Sequence, residues 1–255
     1  MIIAFICIVL IFNTMETISI HRPKIVVIGS CNTDMVVKAN RLPVPGETIL
    51  GGTFYMNPGG KGANQAIAAA RLGAEVTFIS KIGYDLFGLQ ALEIYRSEKI
   101  NTEYIFTDQK SPSGVALISV DSFGENSIIV APGASRSLSI EDINKAEEKI
   151  KEADIILMQL EIPIDTVEYA ATIACKYGKK VILNPAPASS LSNSFLMNVH
   201  TILPNRIEAE MLSGIKVMNI ESAHRAAQAI GEKGIENVVI TLGKDGAYVK
   251  EKVEY

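Results

Sequence analysis

The chain has 255 residues, 48% of them hydrophobic and 20% charged, and a net charge of −4. That composition belongs to a globular chain long enough to bury a core without disulfides or structural metal, and it excludes disorder along its length. Lysine and arginine are scattered rather than gathered into a basic stripe, so nucleic acid is not an expected partner.

The three cysteines, Cys7, Cys31 and Cys175, form no C-x-x-C pair and leave one thiol over in any pairing. A reducing compartment fits them: the cytoplasm, with the nucleus as an addition. His21, His200 and His224 match no zinc spacing.

In chain order, residues 1–12 are almost continuously apolar. A membrane span needs roughly 20 such residues, and a signal peptide needs a basic flank that is missing here. Met15 is a plausible alternative start. Residues 1–23 are therefore expected to be a dispensable extension, with membrane anchoring through 1–12 as the lesser alternative. Beyond it, short apolar runs recur at 24–29, 75–80, 154–160, 180–183, 201–203 and 237–241. Continuous runs of this length suit strands buried on both faces of a parallel sheet.

Helical patterns separate most of these runs. Ser139 with Asp142 forms a capping pair ahead of the stripe Ile143, Ala146, Ile150. Residues 165–177 place Val167, Ala170, Ala171 and Ala174 on one face, closed by Gly178. Ile220, Ala223, Ala227 and Ile230 repeat the stripe. This alternation predicts an α/β fold with a doubly wound, mostly parallel sheet flanked by helices. The segments 35–55 and 101–130 break the rhythm with extended runs and turns, and are expected to form a small β-sheet lid on a single α/β domain over 24–255.

Ligands of open parallel sheets bind beyond the carboxyl ends of the strands. The residues trailing the runs are Asn32 and Asp34, Glu161, Asn184, Asn205 and Glu208, and Thr241. Each also has a plain structural reading: a turn for Asn32–Asp34, a loop for Glu161, and a helix capping box for Asn205 with Glu208. The capping box is compatible with a second role, because Glu208 could hold Mg²⁺ through water. The densest signal is Asn57-Pro58-Gly59-Gly60-Lys61-Gly62-Ala63-Asn64-Gln65 before an alanine-rich helix over 66–72. Its glycines permit close backbone approach where free helix N–H groups can meet ligand oxygens. Gly62 stands where a P-loop needs Ser or Thr, and no G-x-G-x-x-G follows the first strand, so neither common phosphate loop is present.

These residues resemble the ribokinase family of carbohydrate kinases. The turn Gly29-Ser30-Cys31-Asn32-Thr33-Asp34, the segment Pro43-Val44-Pro45-Gly46-Glu47-Thr48, the run from Gly59 to Gly73, Asn184-Pro185-Ala186-Pro187-Ala188 and Pro204–Ala209 carry the likeness in order. The resemblance implies that Asn32, Thr33 and Asp34 bind ribose, that Gly60, Lys61, Gly62, Ala63 and Asn64 line the sugar site, and that Glu161 completes it. It implies ATP contacts from Asn205 and from Thr241-Leu242-Gly243-Lys244-Asp245-Gly246, and Mg²⁺ organised through water by Glu208. The family's catalytic base lies in a Gly-Ala-Gly-Asp turn, whose N–H groups form an anion hole; this turn and the monovalent-cation (K⁺) ligands are expected beyond Tyr255. The implied activity is ATP-dependent conversion of D-ribose to D-ribose 5-phosphate. Exposed apolar strands in a projecting lid invite pairing, so a homodimer through the lid is expected. The alternatives are an inactive sugar-binding or dimerising form, or a kinase for adenosine, fructose or a keto-deoxy sugar.

Overall fold

The computed structural model describes residues 22–252; the expectations for residues 1–21 lie outside them. The central sheet is built from β1 (Lys24–Ile28), β4 (Glu75–Gly83), β5 (Ile105–Asp108), β8 (Ile155–Met158), β9 (Lys180–Leu183), β10 (Thr201–Ile202), β11 (Asn237–Thr241) and β12 (Ala247–Lys250). Their order is β12-β11-β10-β9-β8-β1-β4-β5. All neighbours are parallel except β11 and β12. From β1 the chain first builds outward through β4 to β5, then returns to β8 on the other side of β1 and builds the opposite way. The strand order therefore reverses between β1 and β8, the crevice where open α/β sheets take ligands.

The strands are apolar because both faces are covered. The helices are α1 (Lys61–Arg71), α2 (Leu86–Ser97), α3 (Ile140–Lys145), α4 (Glu147–Glu152), α5 (Ile164–Lys176), α6 (Asn193–Leu196), α7 (Arg206–Ser213) and α8 (Ile220–Gly231). On one face Ile143, Ala146, Ile150, Val167, Ala171 and Ala227 pack in a single core with Ile28, Ile156 and Val238. On the other, Ala63, Ala66, Ile67 and Tyr95 pack against Val27, Phe78 and Leu157. The Ser139–Asp142 capping box forms as expected. The stripe it opens is carried by two short helices rather than one, with the break at Ala146 (φ −100°, ψ 5°).

A second sheet has the order β3-β2-β6-β7, from β2 (Asn32–Lys38), β3 (Thr53–Gly59), β6 (Gly114–Val120) and β7 (Asn126–Ala131). It begins at Asn32, so the expected turn at 32–34 is the start of a strand. Of the segment 101–130, residues Ile105–Asp108 pair with β4 in the central sheet instead. Every residue of β7 is exposed. Among the described residues no helix is long and apolar enough to cross a membrane.

Candidate active site

The site starts at the end of β1, where the chain leaves the central sheet and enters the small one within four residues. Ser30 is buried there, and α1 begins directly against it. Gly60, the residue before α1, has φ +88°, a left-handed backbone that favours glycine. Gly62 in the first turn lies so near Ser30 that an added Cβ would stand 2.6 Å from its carbonyl oxygen. The Ala63 N–H donates to that same oxygen at 2.9 Å. Gly62 and Ala63 thus dock the helix against the end of β1.

Glu161 stands three residues past β8, across the crevice from Ser30. Its Oε2 accepts from Ser30 Oγ at 2.5 Å and from the Lys61 backbone N–H at 2.9 Å. Its Oε1 accepts from Lys61 Nζ. The Glu161 side chain is 16% exposed. Burial pushes its carboxyl up, but the hydrogen bonds from Lys61 and Ser30 outweigh it and hold the group below the ordinary glutamate range. Glu161 is therefore a carboxylate with three donors already in place.

Asp34 lies on β2 with its carboxylate over Gly59, where a Cβ would stand 1.9 Å from Oδ1. Burial raises its pKa, the neighbouring Glu161 charge raises it further, and Lys61 draws it down. Asp34, Lys61 and Glu161 thus act on one another electrostatically. Asn32, Lys61 and Glu161 line one cavity of about 360 Å³ together with Ser30, Leu160 and Arg136. The Asn32 Oδ1 is buried and has no hydrogen-bond partner. Thr33 is absent from that cavity's lining: it borders a second cavity of about 250 Å³ with Met56, Phe87 and Ile94, which Asn32 borders as well. Asn64 sits exposed on the first turn of α1.

The second cluster lies at the ends of β10 and β11. Asn205 and Glu208 form the capping box of α7: Asn205 Oδ1 accepts from the Glu208 N–H at 2.9 Å, and Glu208 Oε2 from the Asn205 N–H at 2.8 Å. Burial raises the Glu208 carboxyl above its ordinary value, against the Asn205 hydrogen bond and the charge of Lys61. Lys61 thus reaches electrostatically from the first cluster to the second. Thr241 pairs with Asn205 in an isolated bridge. Leu242 is buried, and its N–H donates to Gly246 O at 2.8 Å, closing the loop into β12. Within that loop Gly243, Lys244 and Gly246 are exposed, and Asp245 pairs with Arg206 at 2.8 Å. Among the described residues no three His, Cys, Asp or Glu side chains gather to hold a metal directly. A lone buried carboxylate such as Glu208 fits Mg²⁺ that keeps its water shell and is shared with nucleotide phosphates.

Residues 22–255 match the pfkB family of carbohydrate kinases. The chain belongs to that family. A ribokinase of Haemophilus influenzae is 46% identical over 231 residues, covering 91% of this chain and 76% of the relative. A deoxyribokinase of Salmonella typhi is 39% identical, covering 88% and 73%. The solved structure of Arabidopsis thaliana ribokinase complexed with ribose and ATP has a TM-score of 0.81 and 30% identity over 92% of this chain and 77% of that one.

Two residues of the site escaped the sequence reading. Ser30 lies inside the turn Gly29–Asp34, and its place directly after a buried strand could have marked it. Arg136 comes from a 3₁₀ turn at Gly133–Ser137, remote from every motif, and carried no signal. That turn is pinned on either side of Arg136: Ser135 Oγ meets the backbone of Cys31 at 3.3 Å, and Ser137 Oγ donates to Asp108 at 2.5 Å.

Proposed function

We propose that the chain forms the sugar and nucleotide cleft of an ATP-dependent ribokinase, which converts D-ribose to D-ribose 5-phosphate. The observation that carries this reading is the clustering of Asp34, Lys61 and Glu161 at the strand-order reversal, beside Asn32 with its unpartnered buried oxygen. A pentose presents several hydroxyl donors, and carboxylates and an amide oxygen accept them. The naming of relatives as ribokinases, one of them holding ribose and ATP, points the same way.

In this reading Asn32, Asp34 and Glu161 accept from sugar hydroxyls, while Gly60, Lys61 and Asn64 border the sugar. Thr33, Gly62 and Ala63 contribute through the backbone they hold in place. Asn205 and the loop from Thr241 to Gly246 (Leu242, Gly243, Lys244 and Asp245 between them) border the nucleotide. Glu208 would hold Mg²⁺ through its water shell, and the ion would supply positive charge to the nucleotide phosphates. Lys61, coupled to both Glu161 and Glu208, sits between sugar and phosphates, where phosphoryl transfer needs positive charge. Deprotonation of the acceptor hydroxyl falls to the Asp of the family's Gly-Ala-Gly-Asp turn, a motif absent from residues 1–255. K⁺ enters the reading through the resemblance alone, with none of the described residues assigned to it.

The small sheet is the lid of this reading, with Val130 of β7 on the wall of the sugar cavity. Ile128 and Ile129 of its edge strand are 50% and 69% exposed, and an apolar edge of this kind invites pairing with a second copy. The free thiols of Cys31 and Cys175 favour the cytoplasm; the comparisons lend no support to the nucleus. A coupled ADP-release assay with ribose, 2-deoxyribose, fructose and adenosine, on a chain carrying the Gly-Ala-Gly-Asp turn, tests the substrate. Ribose should give the highest kcat/KM. A higher value for 2-deoxyribose would move the chain to the deoxyribokinases, and a higher value for adenosine would reject a pentose kinase.

A further inference from the structure

We infer that Ser30 is a positioning residue of the sugar site, acting through Glu161; this deepens the ribose reading and rests on it. Ser30 and Glu161 leave β1 and β8, the two strands that flank the crevice, and their hydrogen bond spans it at 2.5 Å. Ser30 borders the same cavity as Glu161 but is itself 1% exposed, so its hydroxyl is turned to the carboxylate and away from solvent.

The geometry explains why a hydroxyl is needed there. Lys61 supplies Glu161 with donors from its ammonium and its backbone N–H, both on the α1 side. With those alone the carboxylate is pulled toward the helix. Ser30 adds a donor from the strand side and fixes the carboxylate plane between the two, leaving its remaining lone pairs directed to sugar hydroxyls. Neither neighbouring backbone group can take over. The Ser30 carbonyl is an acceptor already occupied by Ala63, and the Cys31 N–H donates to Ser135. The charged groups facing Glu161 are Lys61 from α1, Asp34 from β2 and Arg136 across the cavity. Ser30 is the neutral donor among them, and its hydrogen bond helps keep Glu161 ionised beside the like charge of Asp34.

The test uses the full chain, calorimetric titration with ribose, and the carboxyl ¹³C titration of Glu161, assigned by its loss in Glu161→Gln. Ser30→Ala should weaken ribose binding about tenfold, the size of one hydrogen bond to a charged acceptor, and move the Glu161 titration to higher pH. A merely structural hydrogen bond would move that titration yet leave ribose affinity where it is. Ribose affinity within twofold of wild type, or an unmoved Glu161 titration, would overturn the role. If Ser30→Ala does not fold, Ser30→Cys, which keeps the size but donates weakly, should show the same loss of ribose affinity, and wild-type affinity in that variant overturns the proposal. No ribose binding by the unaltered chain removes the functional reading itself, whereas binding that Ser30→Ala leaves intact removes Ser30 alone.

Discussion

Asp34 carries opposite signs for stability and for function. Burial and the nearby Glu161 raise its pKa, so the folded state binds its proton more tightly than the unfolded chain does. Its contribution to stability is therefore fully present below the unfolded carboxyl range and is lost as pH rises through the folded value. Asp34→Asn removes that loss: the variant should melt higher than wild type at pH 7, with the difference shrinking as the solution is acidified. The same change should weaken ribose binding by roughly 10–100-fold, since a hydrogen bond to a charged acceptor is worth about 1.5–3 kcal/mol. Thermal melts at pH 7 and pH 4, paired with ribose titrations, check both halves. A variant that loses stability at pH 7 would show that Asp34 is held by favourable contacts and is a structural residue.

Arg136 borders the sugar cavity, and no side chain among the described residues pairs with it. A guanidinium offers donors only, which suits the ring oxygen of a pentose, an acceptor that no carboxylate can serve. Arg136→Ala should raise the ribose Kd several-fold while leaving the melting temperature within a degree or two of wild type. An unchanged Kd would make Arg136 a solvated surface residue.

Among the elements, α1 is the one whose seating the site depends on most. Its first turn presses on the backbone at the end of β1, and Gly62→Ala forces a methyl to 2.6 Å from the Ser30 carbonyl. The helix must shift, at a cost of about 1–3 kcal/mol. Urea denaturation should show that loss, and ribose affinity should fall with it because Lys61 moves away from Glu161. A fully stable variant with native affinity would mean that the helix start is softer than the contact implies. The elements also show what a single sequence displays. The buried strands β1, β9 and β11 were legible as unbroken apolar runs, since both their faces are covered. Helix α2 was not: it buries Gly88, Ala91 and Tyr95 while Leu86 and Leu89 face solvent, so the small residues that dock it leave no apolar stripe. Edge strands β5 and β12 are partly exposed and carry polar residues, which hides them from the same pattern. At the site, Asn32, Asp34, Lys61 and Glu161 were legible because each trails a strand or opens a glycine-rich helix. Arg136 reaches the cavity through tertiary packing of a short turn, which leaves no local trace.

At the scale of the whole molecule, two sheets share one crevice. The central sheet is closed on both faces by helices, while the small sheet ends in β7, exposed along its whole length. An edge strand carrying Ile128, Ile129 and Val130 should pair with a second copy, and a lysine there should block the pairing. Sedimentation of Ile129→Lys is expected to report a monomer where wild type reports a dimer; a dimer in both would place the interface elsewhere.

One cavity, between the ends of β1 and β8, should hold the pentose. A crystal structure of the chain soaked in ribose addresses it most directly. Density for a five-carbon sugar should lie between Asp34, Lys61 and Glu161, with Asn32 in hydrogen-bonding range. Sugar density in the cavity against α2, beside Thr33 and Phe87, with the β1–β8 crevice holding none, would contradict the account.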